Sequence, residues 1–454
     1  MRAAVLAAAV LVAALLTASA AQAGEPPAFK LVRSDEDYGY LKSAPNLTGL
    51  DALRYIPLGQ DAYLSLGGEA RVRLDAIDAP RFGGGGAQAD TFALFRGLVS
   101  ADLHLNSGVR VYGELGLHRD LGKGEAPAIT DRDGLDAQVL FVDVTPAEHW
   151  RLRLGRQELS FNPTQRFVSV REGPNIRQSF DGARLTYAGK RLKVDAFYTH
   201  PIALEPGGFN DSHNPGQAFW GVYATAPVGK GASLDVYSLN LDRDRVRFGA
   251  LTGDERRRGV GARLVGKAGA IDYEVEGMVQ RGRFAGQDIR AWGGSAGAGY
   301  TFAAPWKPRL SVRRDIGSGD NDPTDGKLKT FNPLFPKGAY FSEAGLVSWS
   351  NLSAWRIALG AAPTKTVTAE ISHTDRRRQA GRDALYLQPL AVLAGGGAST
   401  AKAVSEDWQA DLGWQVSRNV KVSLEAVHAE AGAAVKAAGG HDVDFGMAIV
   451  QFRF

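Results

Sequence analysis

Residues 63–75 read YLSLGGEARVRLD, and apolar and polar side chains alternate along this stretch. Leu64 and Val72 belong to the apolar series, whereas Arg71 and Arg73 belong to the polar one. Successive side chains of a β-strand point to opposite faces, so the stretch predicts a strand with one apolar and one charged face. Such segments of about ten residues are typical of outer-membrane β-barrels. Similar alternation recurs at residues 109–117, 151–154, 192–198, 273–279, 310–312, 367–371, 408–414 and 420–426.

The connections between these segments alternate in length. Short ones lie at residues 106–108, 146–148, 188–190, 228–230, 267–269, 304–307, 362–364 and 417–419. Long ones lie at residues 78–90, 119–135, 160–179, 202–216, 316–351 and 379–402. Outer-membrane barrels have short periplasmic turns and long extracellular loops, an asymmetry that a soluble β-sandwich does not need. The sequence therefore predicts an all-β fold, a transmembrane antiparallel β-barrel of 18 strands, within a range of about 16 to 18.

The two ends of the chain agree with an exported barrel. Met1 and Arg2 precede an apolar run at residues 3–16 and a small-residue pattern that ends at Ala23, which predicts a secretory signal peptide over residues 1–23. A retained membrane anchor needs about 20 apolar residues, more than this run contains. The chain ends on Phe454, which resembles the terminal signal read by the barrel-insertion machinery. We therefore expect the cell outer membrane of a Gram-negative bacterium.

Between the signal peptide and the first strand, residues 24–60 show no alternation. They predict a periplasmic N-terminal arm or plug, followed by the barrel over residues 61–454. Aromatic residues near the strand ends are candidates for the interfacial girdles of such a barrel: Tyr187, Trp220, Trp292, Trp306, Tyr340 and Trp355.

Composition excludes several classes of function. The chain has 454 residues and no cysteine, which rules out disulfides, thiolate metal sites and a cysteine nucleophile. Its 53 basic and 49 acidic side chains leave a net charge of +4, too balanced for a protein that coats nucleic acid. The 8 histidines are scattered, without the spacing of a metal pair. Residues 320–326 resemble a calcium loop only superficially, because the EF-hand order and its closing glutamate are missing.

If the apolar faces meet lipid, the charged faces line the channel. Guanidinium groups fit carboxylates bidentately, so an arginine-lined lumen suits anionic solutes. The alternative is that the same arginines form ion pairs with acidic wall residues and only stiffen the barrel. We expect Arg71, Arg73, Arg151 and Arg153 together to form a local cationic zone. The predicted lumen cations are Arg71, Arg73, Arg96, Arg110, Arg151, Arg153, Lys193, Arg263, Arg309, Arg313, Arg356 and Lys421.

Several spaced motifs carry a family resemblance. They are GRQE at residues 155–158, QR at 165–166, FDGAR at 180–184 and FNPLFP at 331–336. In this order they resemble the alginate export family of Gram-negative outer-membrane proteins, over nearly the whole mature chain. Residues 171–177 depart from the tryptophan-containing stretch of that family, so the solute stays open between alginate and another anionic sugar.

The resemblance implies a monomeric 18-stranded barrel that passes an anionic polysaccharide, with loops and a periplasmic turn closing the pore at rest. It also implies that a loop and a strand start beside the constriction contain Arg156, Arg166, Arg177, Asp181 and Arg184. The expected partners are outer-membrane lipid and lipopolysaccharide, the anionic carbohydrate and periplasmic export proteins. No nucleic acid, cofactor or metal is expected.

Three other functions remain open at this point. A general anion-preferring or small-solute porin would share the same wall. An outer-membrane hydrolase would need an accessible Ser-His or Asp-His set at the rim, which the sequence does not show, so we expect no enzyme. A purely structural barrel would need its loops to plug the lumen, because eighteen strands leave an aqueous channel.

Overall fold

A computed structural model describes residues 27–44, 47–106, 108–249 and 251–454; the predicted signal peptide lies outside them. The prediction of an 18-stranded antiparallel barrel is confirmed, and the sheet closes because the first strand pairs with both the second and the last. The strands are β1 Tyr63–Ile77, β2 Asp90–His104, β3 Val109–Leu121, β4 Asp133–Ala147, β5 Trp150–Gln157, β6 Phe180–Ala188, β7 Lys193–Ala203, β8 Gln217–Pro227, β9 Ala232–Phe248, β10 Leu251–Ala268, β11 Ile271–Phe284, β12 Gln287–Thr301, β13 Arg309–Gly317, β14 Leu352–Ala361, β15 Val367–Arg378, β16 Ala403–Gln415, β17 Val420–Ala431 and β18 Val443–Arg453.

One end of the barrel carries only short turns, which we call the turn end, and the other carries the long connections, which we call the loop end. Two connections at the loop end differ from the predicted alternation of lengths. The strand pairs β9–β10 and β11–β12 are joined there by tight hairpins, the second of them through Ala285 and Gly286 at positive φ of 48° and 85°. Such two-residue turns match the twist of the strands they join.

The outer surface of the wall is apolar. Leu74, Val99, Leu154 and Val260 are exposed on it, at 45%, 64%, 49% and 56% of their maximal area. Exposed apolar side chains of this kind suit a surface that faces lipid. Among the described residues, no helix is long and apolar enough to cross a membrane.

The predicted aromatic girdle is wrong at one position. Trp292, Trp306 and Trp355 are exposed, as residues of an interfacial belt should be. Tyr340 instead lies inside the barrel, where its ring packs against Trp349 with the centroids 4.9 Å apart. Its hydroxyl donates to Asp315 of the wall at 3.0 Å. A buried tyrosine needs such a hydrogen-bond partner, and the long connection that carries Tyr340 folds inward to supply one.

Two long connections enter the lumen from the loop end. We call residues 158–179 the first inserted loop and residues 318–351 the second. Phe167 of the first packs edge-on against Phe331 of the second, and Phe335 lies 4.8 Å from Phe219 of the wall, centroid to centroid. These aromatic contacts belong to a continuous buried apolar core. The loop end of the lumen is therefore filled by an apolar cap rather than by water.

The N-terminal segment enters from the turn end. Its elements are two short 3-10 helices, Arg33–Asp35 and Gly39–Ser43, and one α-helix, α1 Leu50–Arg54. Ile56 and Pro57 pair with β1, which anchors the segment to the wall. Arg33 and Ser34 are buried inside the barrel. The segment thus contributes side chains to the half of the lumen nearer the turn end.

Candidate solute path

The first inserted loop is fixed at the centre of the lumen by arginines of β1 and β2. Arg71 donates to the carbonyls of Glu172 at 2.5 Å and Pro174 at 3.0 Å. Arg96 pairs with Glu172 and, at 2.7 Å, with Glu69. Because these guanidinium groups already satisfy loop carbonyls and buried carboxylates, their main contact is with the protein itself.

Arg73 joins both inserted loops to the wall. It donates to the carbonyl of Gly173 in the first loop at 3.0 Å and to Glu343 in the second at 2.6 Å. Its Nε–H donates to Asp75, two residues along the same strand, at 2.8 Å. One side chain therefore holds the two loops together where they meet.

A buried charge network ties the first loop to the N-terminal segment. Arg177 binds Glu158 through two contacts of 2.5 and 2.6 Å, pairs with Glu172 and donates to the carbonyl of Leu31 at 2.7 Å. Arg33 extends the network from the N-terminal segment to Glu69. Burial alone would raise the pKa of Glu172, but Arg177 and Arg96 outweigh it and hold this pKa well below its usual range. The carboxylate thus stays charged at any physiological pH.

Most of the other predicted cations also lie inside the barrel and are paired with wall carboxylates. The prediction is wrong for Arg156 and Asp181, which belong to the outward-facing series of Leu154 and Leu140, and Arg156 donates to the carbonyl of Asp211 outside the lumen at 3.0 Å. Arg153 is only 2% exposed, forks onto Asp143 at 2.8 Å and stacks 3.6 Å above Phe141. Arg166 contacts both Glu274 and Glu276 at 2.6 Å. The remaining pairs are Arg110–Asp102, Arg156–Asp181, Arg184–Asp195, Arg263–Asp235, Arg309–Asp272, Arg313–Asp315 and Arg356–Glu370.

Because of these contacts, most of the cationic zone expected from the sequence is engaged by the protein itself. Of its four members, Arg71 and Arg73 hold loops and Arg153 is neutralised by Asp143. Arg151 is the most accessible of the four, with 37% of its side chain exposed and Asp143 4.0 Å away. The lumen wall is therefore largely an ion-pair lattice, in which only some cations can meet a solute.

Three further cations keep contact with solvent. Lys193 is 47% exposed although Asp195 lies 3.5 Å away. Among the described residues, no carboxylate lies within 4.0 Å of the ammonium of Lys337 or of Lys421. Lys337 was not predicted as a site residue, because it belongs to a long connection, where alternation gives no signal.

Polar cavities occupy the lumen outside the apolar cap. One of about 620 Å³ is lined by Arg110, Arg151, Lys193 and part of the N-terminal segment. A second of about 470 Å³ and a third of about 450 Å³ share Lys337 and Arg356 in their linings. Each has the volume of a small-ligand pocket and charged rather than apolar walls. They form the candidate solute path.

The sequence profile of the family described as Alginate export matches residues 62–448. The chain belongs to the alginate export family. The match covers every strand except residues 449–453 at the end of β18, together with both inserted loops. No curated protein matches the chain significantly in sequence.

Comparison with solved structures shows that this alginate export family member has the fold of known porins. Pseudomonas aeruginosa OccK8 (OprE) aligns with a TM-score of 0.58 at 10% identity, covering 86% of this chain and 98% of that one. Pseudomonas aeruginosa OpdO gives 0.58 at 11% identity, with coverages of 88% and 98%. Pseudomonas aeruginosa OccK2 (OpdF) in complex with glucuronate gives 0.56 at 12%, with coverages of 86% and 98%.

Family and fold together identify an outer-membrane channel of a Gram-negative bacterium, as the sequence predicted. The loop end is then the extracellular one and the turn end the periplasmic one, because long loops face outward in such barrels. The inserted loops therefore fill the lumen from the extracellular side, and the polar cavities lie toward the periplasm.

A carboxylate cluster at the extracellular rim was not singled out in the sequence. Oxygen atoms of Asp133, Asp136 and Asp211 lie within 4.8 Å of one another. Asp136 accepts the backbone N–H groups of Asn210 at 2.9 Å and Asp211 at 3.1 Å, and Asp211 accepts that of Glu205 at 2.7 Å. The cluster thereby holds residues 204–216 against the barrel wall.

Asp211→Asn is expected to make this rim loop more resistant to proteolysis above pH 6. Burial, with the charges of Asp133 and Asp136, raises the pKa of Asp211 to about 6. A raised pKa in the folded state favours folding at low pH, and this advantage is lost as the pH rises through 6. Because the carboxylate of Asp211 is half exposed, we expect Asp211→Asn to stabilise the folded loop by only about 1 kcal/mol above pH 6.

Limited proteolysis between pH 5 and pH 8 tests this expectation. Cleavage within residues 204–216 should increase with pH in the wild type and stay constant in Asp211→Asn. Equal pH profiles for the two proteins would show that Asp211 does not control the loop.

Proposed function

We propose that this channel passes an acidic carbohydrate, alginate or a related anionic polysaccharide or oligosaccharide, and that the inserted loops keep it closed at rest. The observation that carries the proposal is the periplasmic half of the lumen, where polar cavities are lined by Arg151, Lys193, Lys337 and Lys421. Fixed cations in a wetted pore lower the barrier to anions. Family membership supports carbohydrate as the solute.

The same proposal covers the parts of the chain around the barrel. Residues 1–23 are a signal peptide, residues 24–60 a periplasmic plug and residues 61–454 the barrel. The burial of Arg33 inside the periplasmic half of the lumen supports the plug. The channel works as a monomer in contact with lipopolysaccharide, without a cofactor or catalytic step, and receives its solute from periplasmic export proteins.

A small-solute porin is the second candidate. The cavities of about 450 to 620 Å³ would accommodate a monosaccharide without any displacement of the loops. A structural neighbour, OccK2, was crystallised with glucuronate, which is an acidic monosaccharide. This candidate shares the anionic preference and differs in the length of solute that passes.

Uptake into proteoliposomes separates the candidates. We expect glucuronate and short oligouronates to enter faster than glucose and neutral oligosaccharides of the same length. Uptake of glucuronate without oligouronates would favour the small-solute porin. Equal uptake of acidic and neutral sugars would contradict both.

A further inference from the structure

We propose that Lys337 and Lys421 are the cations that contact a passing anion, whereas the lumen arginines hold the wall and the inserted loops in place. This assignment rests on the proposed function for the identity of the anion, but not for the role of the two lysines. It differs from the expectation from the sequence, in which arginines are the leading cations of the solute path.

The closely paired arginines cannot bind the solute without leaving a carboxylate unpaired. An anion that bound Arg166 would compete with Glu274 and Glu276, both at 2.6 Å. Arg263 is held in the same way by Asp235 at 3.0 Å and by Glu274. Opening such a buried pair leaves an uncompensated charge in a poorly solvated place, which strongly opposes the exchange.

Lys337 is placed by its backbone rather than by its charge. Its N–H donates to the carbonyl of Gln165 in the first inserted loop at 3.0 Å, and its carbonyl accepts the N–H of Tyr340 at 3.1 Å. These bonds fix the Cα between the two loops, and within the described part of the chain the ammonium has no hydrogen-bond or ion-pair partner. The side chain lines both the 470 Å³ and the 450 Å³ cavity, so an anion in either one can reach it.

Lys421 lines the opposite part of the 450 Å³ cavity. It belongs to the wall strand β17, close to the periplasmic turn, and its cross-strand neighbour is the uncharged Gln451. A solute that comes from the periplasm thus meets the wall lysine before the loop lysine. The compact ammonium groups have three rotatable donors each, which suits transient contact with a moving anion.

Acidic residues share this cavity, but among the described residues none has a carboxylate oxygen within 4.0 Å of either ammonium. Glu370 binds Arg356 at 2.6 Å, and Glu425 accepts the N–H of Glu343 at 2.7 Å. Asp411 accepts the side-chain amide of Gln409 at 3.0 Å. The two ammonium groups therefore keep free hydrogen-bonding capacity toward a solute.

The test uses the double variant Lys337→Gln/Lys421→Gln in planar bilayers. Two readouts are recorded, the reversal potential in a KCl gradient and the block of the current by glucuronate. We expect a clear loss of anion preference at low salt and a glucuronate affinity weakened about five-fold per lysine. Lys337→Arg/Lys421→Arg should retain both properties, since the charges stay in place.

Two controls separate free charge from paired charge. Arg256→Gln/Asp244→Gln removes an exposed ion pair of 2.9 Å outside the cavities without a change in net charge, and Lys230→Gln removes an exposed charge from a turn outside the cavities. Both should resemble the wild type, and heat-modifiable gel mobility verifies that every barrel is folded.

The outcomes test separately the role of the two lysines and the carbohydrate nature of the solute. If the double lysine variant keeps the wild-type reversal potential, the assignment of the lysines is wrong. If the reversal potential shifts but glucuronate never blocks the wild type, the lysines do act on anions. The proposal that the solute is an acidic carbohydrate is then wrong.

Discussion

Deletion of residues 320–335 is expected to raise the single-channel conductance at least about five-fold, because it removes the part of the second inserted loop that fills the outer mouth. Phe335 lies 4.8 Å from Phe219 and 5.0 Å from Phe180 between ring centroids, and Phe331 packs on Phe167. Without these rings the apolar cap loses its centre. Water then occupies the space, as in other barrels of this strand number.

The same loop offers a matched control. Residues 321–326 form its tip and are mostly exposed, so their deletion alone should leave the conductance unchanged. Retained heat-modifiable mobility would show that both deletions leave the barrel folded. An unchanged current after removal of residues 320–335 would show that this loop does not close the channel.

Arg177→Gln is expected to release the first inserted loop from the wall and from the N-terminal segment. Arg177 is fully buried and compensates Glu158 and Glu172, so its removal leaves buried carboxylates without a counter-charge. Breaking one side of such a pair costs about 3–5 kcal/mol. The loss should appear as rapid proteolysis within residues 158–179 and as frequent channel opening.

Neutralisation of the partner tests the physical reason. In Arg177→Gln/Glu158→Gln one stranded carboxylate disappears, so part of the protease resistance should return. Arg151→Gln removes an accessible lumen arginine whose contact with Asp143 is 4.0 Å long, and should change stability by less than about 0.5 kcal/mol. If Arg177→Gln is as protease-resistant as Arg151→Gln, the charge network does not hold the loop.

The barrel was predictable because its signals are local. Alternation along residues 63–75 and the lengths of the connections follow directly from which faces meet lipid and which side of the membrane a turn occupies. The tight hairpins at the loop end were missed because β9 and β10 continue through charged and glycine-rich residues, where alternation is weak.

The state of the lumen charges was not predictable, because it depends on contacts between distant parts of the chain. Arg73 and Glu343 are 270 positions apart in sequence, and they meet only after the second loop folds into the barrel. Arg71 was predicted to serve the solute, yet its partners are carbonyls of the first inserted loop. Tyr340 and Lys337 lie in the lumen for the same reason, because the second inserted loop that contains them folds into the barrel.

The most direct test of the account is the current through the channel that lacks residues 320–335, recorded with oligouronates and with neutral oligosaccharides of equal length on the periplasmic side. The account predicts that oligouronates interrupt the current at low salt, that the effect weakens as salt screens the lumen cations, and that neutral chains block less. Equal block by acidic and neutral chains, or a preference for cations in the same channel, would contradict it.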